Sequence, residues 1–484
     1  MGVRGWSRRR RRRASPSAAG ADLVSDLGDD VLVRVLELLP DASDAVRTGA
    51  RGAKRFLAFV DDTLAQRARV TTDAAALEHL AISFVMDPVG EKAEKLVPRS
   101  IKAAQEWIWF AMQGEVKSFV LNLCLPLWEY RYHIACRDSK NLQQPMIDLS
   151  ELPGSPKLET MHWTLGGATL CLPMTAVFTS LEDLSLESIQ FPAGSGHLLP
   201  RLLSSACCPR LQKLQLRNLG LRELNELLVE ASALLELSYD HAAPGDYSEI
   251  QTLRISAPRL EELTFLHEQP EHIDIDGELS CVRSLGVELY SHKLGDDDDD
   301  NDANKVSTCL LQCCTSVTCL EVSLVVVEAE NRAADIISGR IPHLPHLISL
   351  TVHVYLPEWH SFGVGLADIL TQCSNLKYLR VDCTNSMLRN YSCDHSNHWK
   401  SHKMCLPDIQ EVEFMGMVGT NCERWFMERV LTHATQLRKA TLSFDPMFRL
   451  KRKRDGSEFI PRGSGTWTRH HRDNYLSYEW KPDV

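Results

Sequence analysis

Five residues with the donor atoms of a zinc site crowd together late in the chain: Cys393, His395, His398, His402 and Cys405. Thiolate and imidazole are ligand types that zinc selects. Their spacing fits no standard finger and the second Cys-x-x-Cys half is missing, so packing is the better reading and no metal is predicted. The run from Asp296 to Asp300 offers carboxylates to a cation, yet a like-charge block between apolar segments reads better as a solvated spacer. Cys309, Cys313, Cys314 and Cys319 follow apolar helix and strand positions and read as core residues.

Nucleotide and acyl-transfer chemistry find no motif. There is no G-x-x-x-x-G-K-[ST] loop, and Gly363-Val364-Gly365 lacks the third glycine of a dinucleotide turn. No G-x-S-x-G elbow occurs; Gly194-Ser195-Gly196 reads as a turn before a helix. No histidine or aspartate is tied by spacing to a nucleophile. The expectation is a chain with no catalytic residues and no cofactor, not an enzyme.

The elements that must carry any site follow from a three-hydrophobe pattern, φ-x-x-φ-x-φ. It recurs from Val116-Phe119-Leu121 and Leu158-Met161-Trp163 through Leu211-Leu214-Leu216 and Leu347-Leu350-Val352 to Leu437-Ala440-Leu442. The last two hydrophobes are two apart, so on a strand they share one face and their neighbours point the other way. A single unit cannot bury its apolar face alone, so a stack of units is predicted: an irregular leucine-rich-repeat solenoid with curved parallel strands and helices on the outer side. Helices are expected from Leu198 to Cys207, Lys305 to Cys314, Leu366 to Cys373 and Glu423 to Ala434. The asparagine or cysteine usual in such repeats is missing at Ile189 and Leu219, and Ile250-Leu253-Ile255 fits either of two adjoining units.

Composition bounds the partners. The 484 residues carry a net charge of −11, and because the first 20 residues contribute +7 with no acid, the remainder stands at −18. So acidic a body argues against direct nucleic-acid binding through phosphates. No window of apolar residues is long enough to span a membrane, and no apolar stretch follows the N-terminal arginines to make a secretory signal. Fifteen scattered cysteines fit reduced thiols, hence nucleus and/or cytoplasm. The Arg8 to Arg13 run reads equally as an import or acidic-partner signal and as an inert solvated tail.

Residues 22–68 read as a small helical module. Leu27, Val31, Leu32, Val35, Leu36 and Leu39 form one helical stripe that Pro40 stops, and a second helix is expected from Asp44 through Arg51, Lys54, Arg55, Phe56 and Leu57. Leu27-Gly28-Asp29-Asp30-Val31-Leu32, Val35-Leu36, Leu39-Pro40 and Asp44-Ala45-Val46-Arg47-Thr48 together resemble the F-box of plant proteins. Gly28 stands where the family has a helix-starting proline, and Gly49 and Gly52 fall where it has better helix formers. Near the other end, Leu406-Pro407-Asp408-Ile409 through Phe414, then Trp425, Phe426, Val430 and Leu431, are similar to the FBD region of plant F-box proteins. A tryptophan-bearing helix ending at Gly114 leads into the first repeat, as in the same family.

The layout is therefore a basic tail at 1–21, an F-box-like α module at 22–68, linking helices at 69–115, the α/β repeat array at 116–390, an FBD-like end at 391–445 and a C-terminal tail at 446–484. The resemblance implies a substrate-recognition subunit of an SCF-type cullin-RING ubiquitin ligase. Leu27, Val31, Leu32, Val35, Leu36, Leu39 and Pro40 would dock on a Skp-type adaptor, and through it on a cullin, while the repeats hold a target protein. The alternative is a repeat scaffold whose F-box no longer binds the adaptor. For the target, the residues between the core hydrophobes form the expected surface: Lys213, Gln215, Arg217, Glu262, Thr264, Ser349, Thr351, His353, Tyr378, Arg380 and Asp382, with Tyr378 and Arg380 as anchors.

Overall fold

The structure, a computed structural model, describes residues 47–48, 50–69, 77–86, 90–114, 116–125, 146–221, 224–240, 250–266, 269–277, 279–290, 303–325, 337, 340–355, 364–383, 404, 406–418, 421–445, 465–472 and 475–482. The Leu27–Pro40 stripe, the Asp296–Asp300 run and the Cys393–Cys405 cluster lie outside the described residues.

Alternating burial makes the strands. The first stretch of chain gives β1 (Arg47–Thr48), α1 (Ala50–Arg69), β2 (His79–Met86), α2 (Gly90–Gln113), β3 (Ser118–Cys124), β4 (Met146–Asp148), β5 (Thr160–Cys171), β6 (Asp183–Phe191) and α3 (Leu198–Leu202). Next come β7 (Lys213–Arg217), β8 (Gly220–Leu221), β9 (Glu226–Glu230), β10 (Glu236–Asp240), β11 (Thr252–Ser256), β12 (Glu262–Thr264), β13 (His272–Ile275) and β14 (Ser284–Tyr290). The remainder holds α4 (Lys305–Cys313), β15 (Cys319–Val325), β16 (Ser349–Tyr355), α5 (Val364–Thr371), β17 (Tyr378–Asp382), β18 (Glu411–Met417), α6 (Asn421–His433), β19 (Lys439–Phe444), β20 (Thr466–Arg472) and β21 (Tyr475–Lys481).

The result is a mixed α/β architecture built on one large, mostly parallel sheet. Parallel pairs run β2–β3–β5–β6–β7–β10–β12 and on through β14–β15–β16–β17–β18–β19. Register holds the hydrophobic pattern in line: Leu184 faces Leu214, Leu214 faces Leu237, and Leu350 faces Leu379. All these side chains are buried in one continuous core with the helices. The parallel order follows from the crossovers, since each unit must return its chain to the same end before pairing again.

A backbone relay stitches the units together at the strand entrances. One carbonyl in each unit accepts the N–H groups of two successive residues of the next: Glu182 from Gln212 and Lys213, Gln212 from Leu235 and Glu236, Leu235 from Glu261 and Glu262. The same bifurcated pattern continues to Gln410, which accepts from Arg438 and Lys439. Backbone thus satisfies backbone at each strand entrance.

Corners explain the missing asparagine further. β5 and β6 each bend midway, and their second halves pair with β4 and β8. The bends fall at Gly166 (φ 58°) and Gly167 (φ 86°) in β5 and at Ser188 (φ 52°) in β6, with Asn218 (φ 50°) between β7 and β8. Left-handed φ suits glycine and asparagine. At Gly166 a Cβ would also stand 2.7 Å from the Leu123 carbonyl oxygen. Ser188 and Asn218 both follow the third hydrophobe of their units by two positions, so this corner is a repeat feature one place earlier than the sequence reading sought it.

Several expectations are corrected. Arg47–Thr48 is a two-residue strand parallel to β2, so the helix expected from Asp44 begins at Ala50. The segment read as linking helices contains β2, which pairs with β3 through Leu80–Phe119 and Ile82–Leu121. Leu77-Leu80-Ile82 is a further copy of the hydrophobic pattern, with Leu77 and Leu80 half-buried and Ile82 in the core. Ile250-Leu253-Ile255 joins neither adjoining unit of the main sheet; β11 lies in a separate parallel sheet, β9–β11–β13. The C-terminal tail contains an antiparallel hairpin, β20–β21, that adds to β19.

Each end of the sheet packs a further element. At the first, Ala53, Leu57, Val60 and Leu64 of α1 bury one helical stripe. Phe56 stacks on Phe84 at 5.3 Å and meets Trp107 edge-on at 6.5 Å, while Trp107 Nε1 donates to Asp61 Oδ1 at 2.9 Å. At the other, Leu476 and Tyr478 of the hairpin are buried against β19, with Tyr478 edge-on to Phe444 at 6.3 Å.

Candidate interaction face

The residues between the core hydrophobes emerge on the opposite face in register rows. Lys213, Gln215 and Arg217 lie together on β7; Ser349, Thr351 and His353 on β16; Tyr378, Arg380 and Asp382 on β17. Glu262 and Thr264 lie between, on β12. The sequence-predicted target residues therefore form two patches. From β7 to β16 the pairing order passes β10, β12, β14 and β15, a separation of about 24 Å at the usual strand spacing.

The β7 patch is self-neutralised. Lys213 Nζ meets Glu236 Oε2 at 2.6 Å and Arg217 Nε stands 4.0 Å from Asp240 Oδ2. The Gln215 amide oxygen accepts from Arg217 Nη2 at 2.9 Å and its nitrogen donates to Ser185 at 3.2 Å. The Glu236 hydrogen bond raises the Lys213 ammonium above its ordinary range, with the coulombic pull of Glu236 behind it.

The β16–β17 patch has a different character. Tyr378 is 43% exposed, and Ile348, whose carbonyl accepts the Tyr378 N–H, is 36% exposed. Tyr378 borders a depression of about 170 Å³ lined also by Arg380, Glu411, Glu413, Lys439 and Thr441, among others. Arg380 is fixed from two sides, Nη2 to Asp382 Oδ2 at 3.3 Å and Nη1 to Glu413 Oε2 at 3.4 Å. His353 Nε2 bonds Glu321 Oε1 at 2.8 Å. That hydrogen bond raises the imidazole and lowers the Glu321 carboxyl, burial opposing both shifts.

Sequence reading missed Glu321, Glu411, Glu413, Lys439 and Thr441. The signal was present, because each occupies a spacer position of the same pattern. What was lacking was the knowledge that β17, β18 and β19 are direct neighbours.

The fold also lines up Ser323, His353 and Asp382 on three neighbouring strands. The constellation does not assemble as a nucleophile relay. His353 Nε2 is committed to Glu321, while Ser323 Oγ is buried with no hydrogen-bond partner among the described residues. Nucleophile and base must share a hydrogen bond for that chemistry. Among the described residues no group of three or more histidine, cysteine, aspartate or glutamate side chains is placed to hold a metal, and no helix is long and apolar enough to cross a membrane.

The cysteines are explained by the repeat. Cys208, Cys314 and Cys373 each stand three residues before the first hydrophobe of a unit and are buried. Their carbonyls turn the chain into the strand: Cys208 accepts from Leu211 and Cys314 from Val317. Burial pushes the Cys314 and Cys373 thiols up to about 12.

No protein-family model matches this sequence, and no curated protein matches it. The functional reading therefore rests on the chain's own residues.

Proposed function

We propose that the chain is a non-catalytic substrate-recognition subunit of an SCF-type ubiquitin ligase, an F-box-like module joined to a leucine-rich-repeat solenoid with an FBD-like end. The observation that carries the recognition half is the exposed Tyr378 beside the Arg380-bordered depression on the polar sheet face. Aromatic and arginine side chains at the centre of a patch are the usual anchors of protein interfaces. The adaptor half rests on the Leu27–Pro40 stripe and its resemblance. In this reading the sheet holds a target protein near the ubiquitin-charged enzyme, and proximity supplies the rate.

The test is capture of a Skp-type adaptor by the full chain beside a Leu32→Asp, Leu36→Asp double variant. Capture by the first and loss in the second supports the reading; capture by neither leaves a binding scaffold. One observation favours that second reading. The apolar stripe of α1 is consumed inside the core, against β2 and α2, so adaptor contact would depend on the Leu27–Leu39 stripe alone.

A further inference from the structure

The exposed sheet face is acidic. Along the strand rows from β2 to β19, aspartate and glutamate outnumber lysine and arginine. The cations are mostly spent: Lys213 on Glu236, Arg217 on Asp240, Arg380 on both Asp382 and Glu413. Glu262 and Glu411 remain exposed with no cation within ion-pair distance among the described residues, and Lys439 alone does not offset them. On the same face Ser323 Oγ, buried between the register positions of Glu288 and His353, has no hydrogen-bond partner among the described residues.

The chain itself holds the complementary charge. Arg4 and Arg8 to Arg13 are concentrated in 20 residues without an acid. The chain enters the described structure at Arg47 on β1, which pairs with β2 at one end of this face. About 34 residues separate Arg13 from Arg47, a reach of roughly 110 Å when extended. The face spans about twelve strand spacings, roughly 60 Å. Guanidinium groups recognise carboxylates in forked pairs, and a tethered segment acts at an effective concentration near millimolar.

We propose that the Arg8–Arg13 segment docks on the acidic face of its own chain and occupies it until a partner displaces it. The contact is independent of the adaptor reading. It is tested with a fluorescent peptide of residues 1–20 titrated into three full-length proteins: the wild type, a variant with all six arginines from Arg8 to Arg13 changed to glutamine, and that variant with Glu262→Lys and Glu411→Lys added. The six-glutamine chain should bind the peptide at least tenfold more tightly than the wild type, whose own segment competes. The two charge reversals should weaken that binding at least tenfold. Equal affinity for wild type and six-glutamine chain, or indifference to the reversals, overturns the proposal. So does a concentration-dependent wild-type dimer that the glutamines abolish, because the segment would then occupy a second copy. Circular dichroism checks each variant; should the reversal variant unfold, the comparison of the other two decides.

Discussion

His353 on β16 reaches diagonally to Glu321 on the neighbouring strand β15, with Nε2 and Oε1 2.8 Å apart. The Glu321 bond raises the imidazole and Asp382 adds to it, while burial and Arg380 oppose. The raised histidine contributes stability that is fully present below its ordinary value of 6.5 and is lost as pH climbs through the raised value. The lowered glutamate contributes above its ordinary 4.5 and loses that contribution as pH falls through the lowered value. The pair is therefore at full strength from pH 4.5 to 6.5. For a half-exposed pair the contribution is about 0.2–1 kcal/mol. NMR titration of His353 should show the raised value, and Glu321→Gln should bring it back down.

Exposed and buried thiols should separate by reactivity. Cys314 and Cys373, pushed up to about 12 and sealed in the core, should resist alkylation in the folded protein at pH 8. Cys281 and Cys319 are exposed and should react. Mass spectrometry before and after denaturation checks this, with the buried pair labelled only after unfolding.

Gly154 lies directly against the backbone of Val177, and a Cβ there would fall inside contact distance of the Val177 carbonyl and amide. Backbone cannot rotate away as a side chain does. Gly154→Ala should cost about 1–3 kcal/mol, the range for overpacking, and chemical denaturation would read it as a lower midpoint. An unchanged midpoint would show that the turn from Leu152 to Leu158 relaxes freely.

The C-terminal hairpin should act as a cover and not as an appendage. Tyr478 is 5% exposed and packs edge-on against Phe444. Tyr478→Ala should destabilise by about 3–5 kcal/mol, the scale of large aromatic truncations in cores. Its second effect should be a greater tendency to self-associate, measured by light scattering, because β19 would lose its covering.

Tyr378→Ala with Arg380→Ala should cost only about 1 kcal/mol of stability, the loss of the Arg380 ion pairs to Asp382 and Glu413 at a half-exposed site. The same pair should weaken capture of a target protein at least tenfold while leaving adaptor capture intact. Unchanged target affinity would remove the β17 patch as the recognition site.

The sequence by itself determined the strands of the repeated hydrophobic pattern. Two hydrophobes at spacing two, preceded by a third, fix which side of each strand is buried, because a pleated strand turns alternate side chains to opposite faces. Helices α4, α5 and α6 were legible for a similar reason, and so were the spacer residues such as Tyr378 and Arg380 that had to face outward. Local pattern could not say which strand neighbours which. That decision belongs to the tertiary structure: it put β11 in a second sheet, brought β20 and β21 back onto β19, and joined Glu411, Glu413 and Lys439 to Arg380. It also parted the β7 residues from those of β16 and β17. Pairing is a long-range choice made by burial of the whole core and by backbone hydrogen bonds between units, which carry no side-chain signature. The hairpin shows this most clearly: its alternation is short and its composition polar, and only the uncovered edge of β19 gives Leu476 and Tyr478 something to bury against.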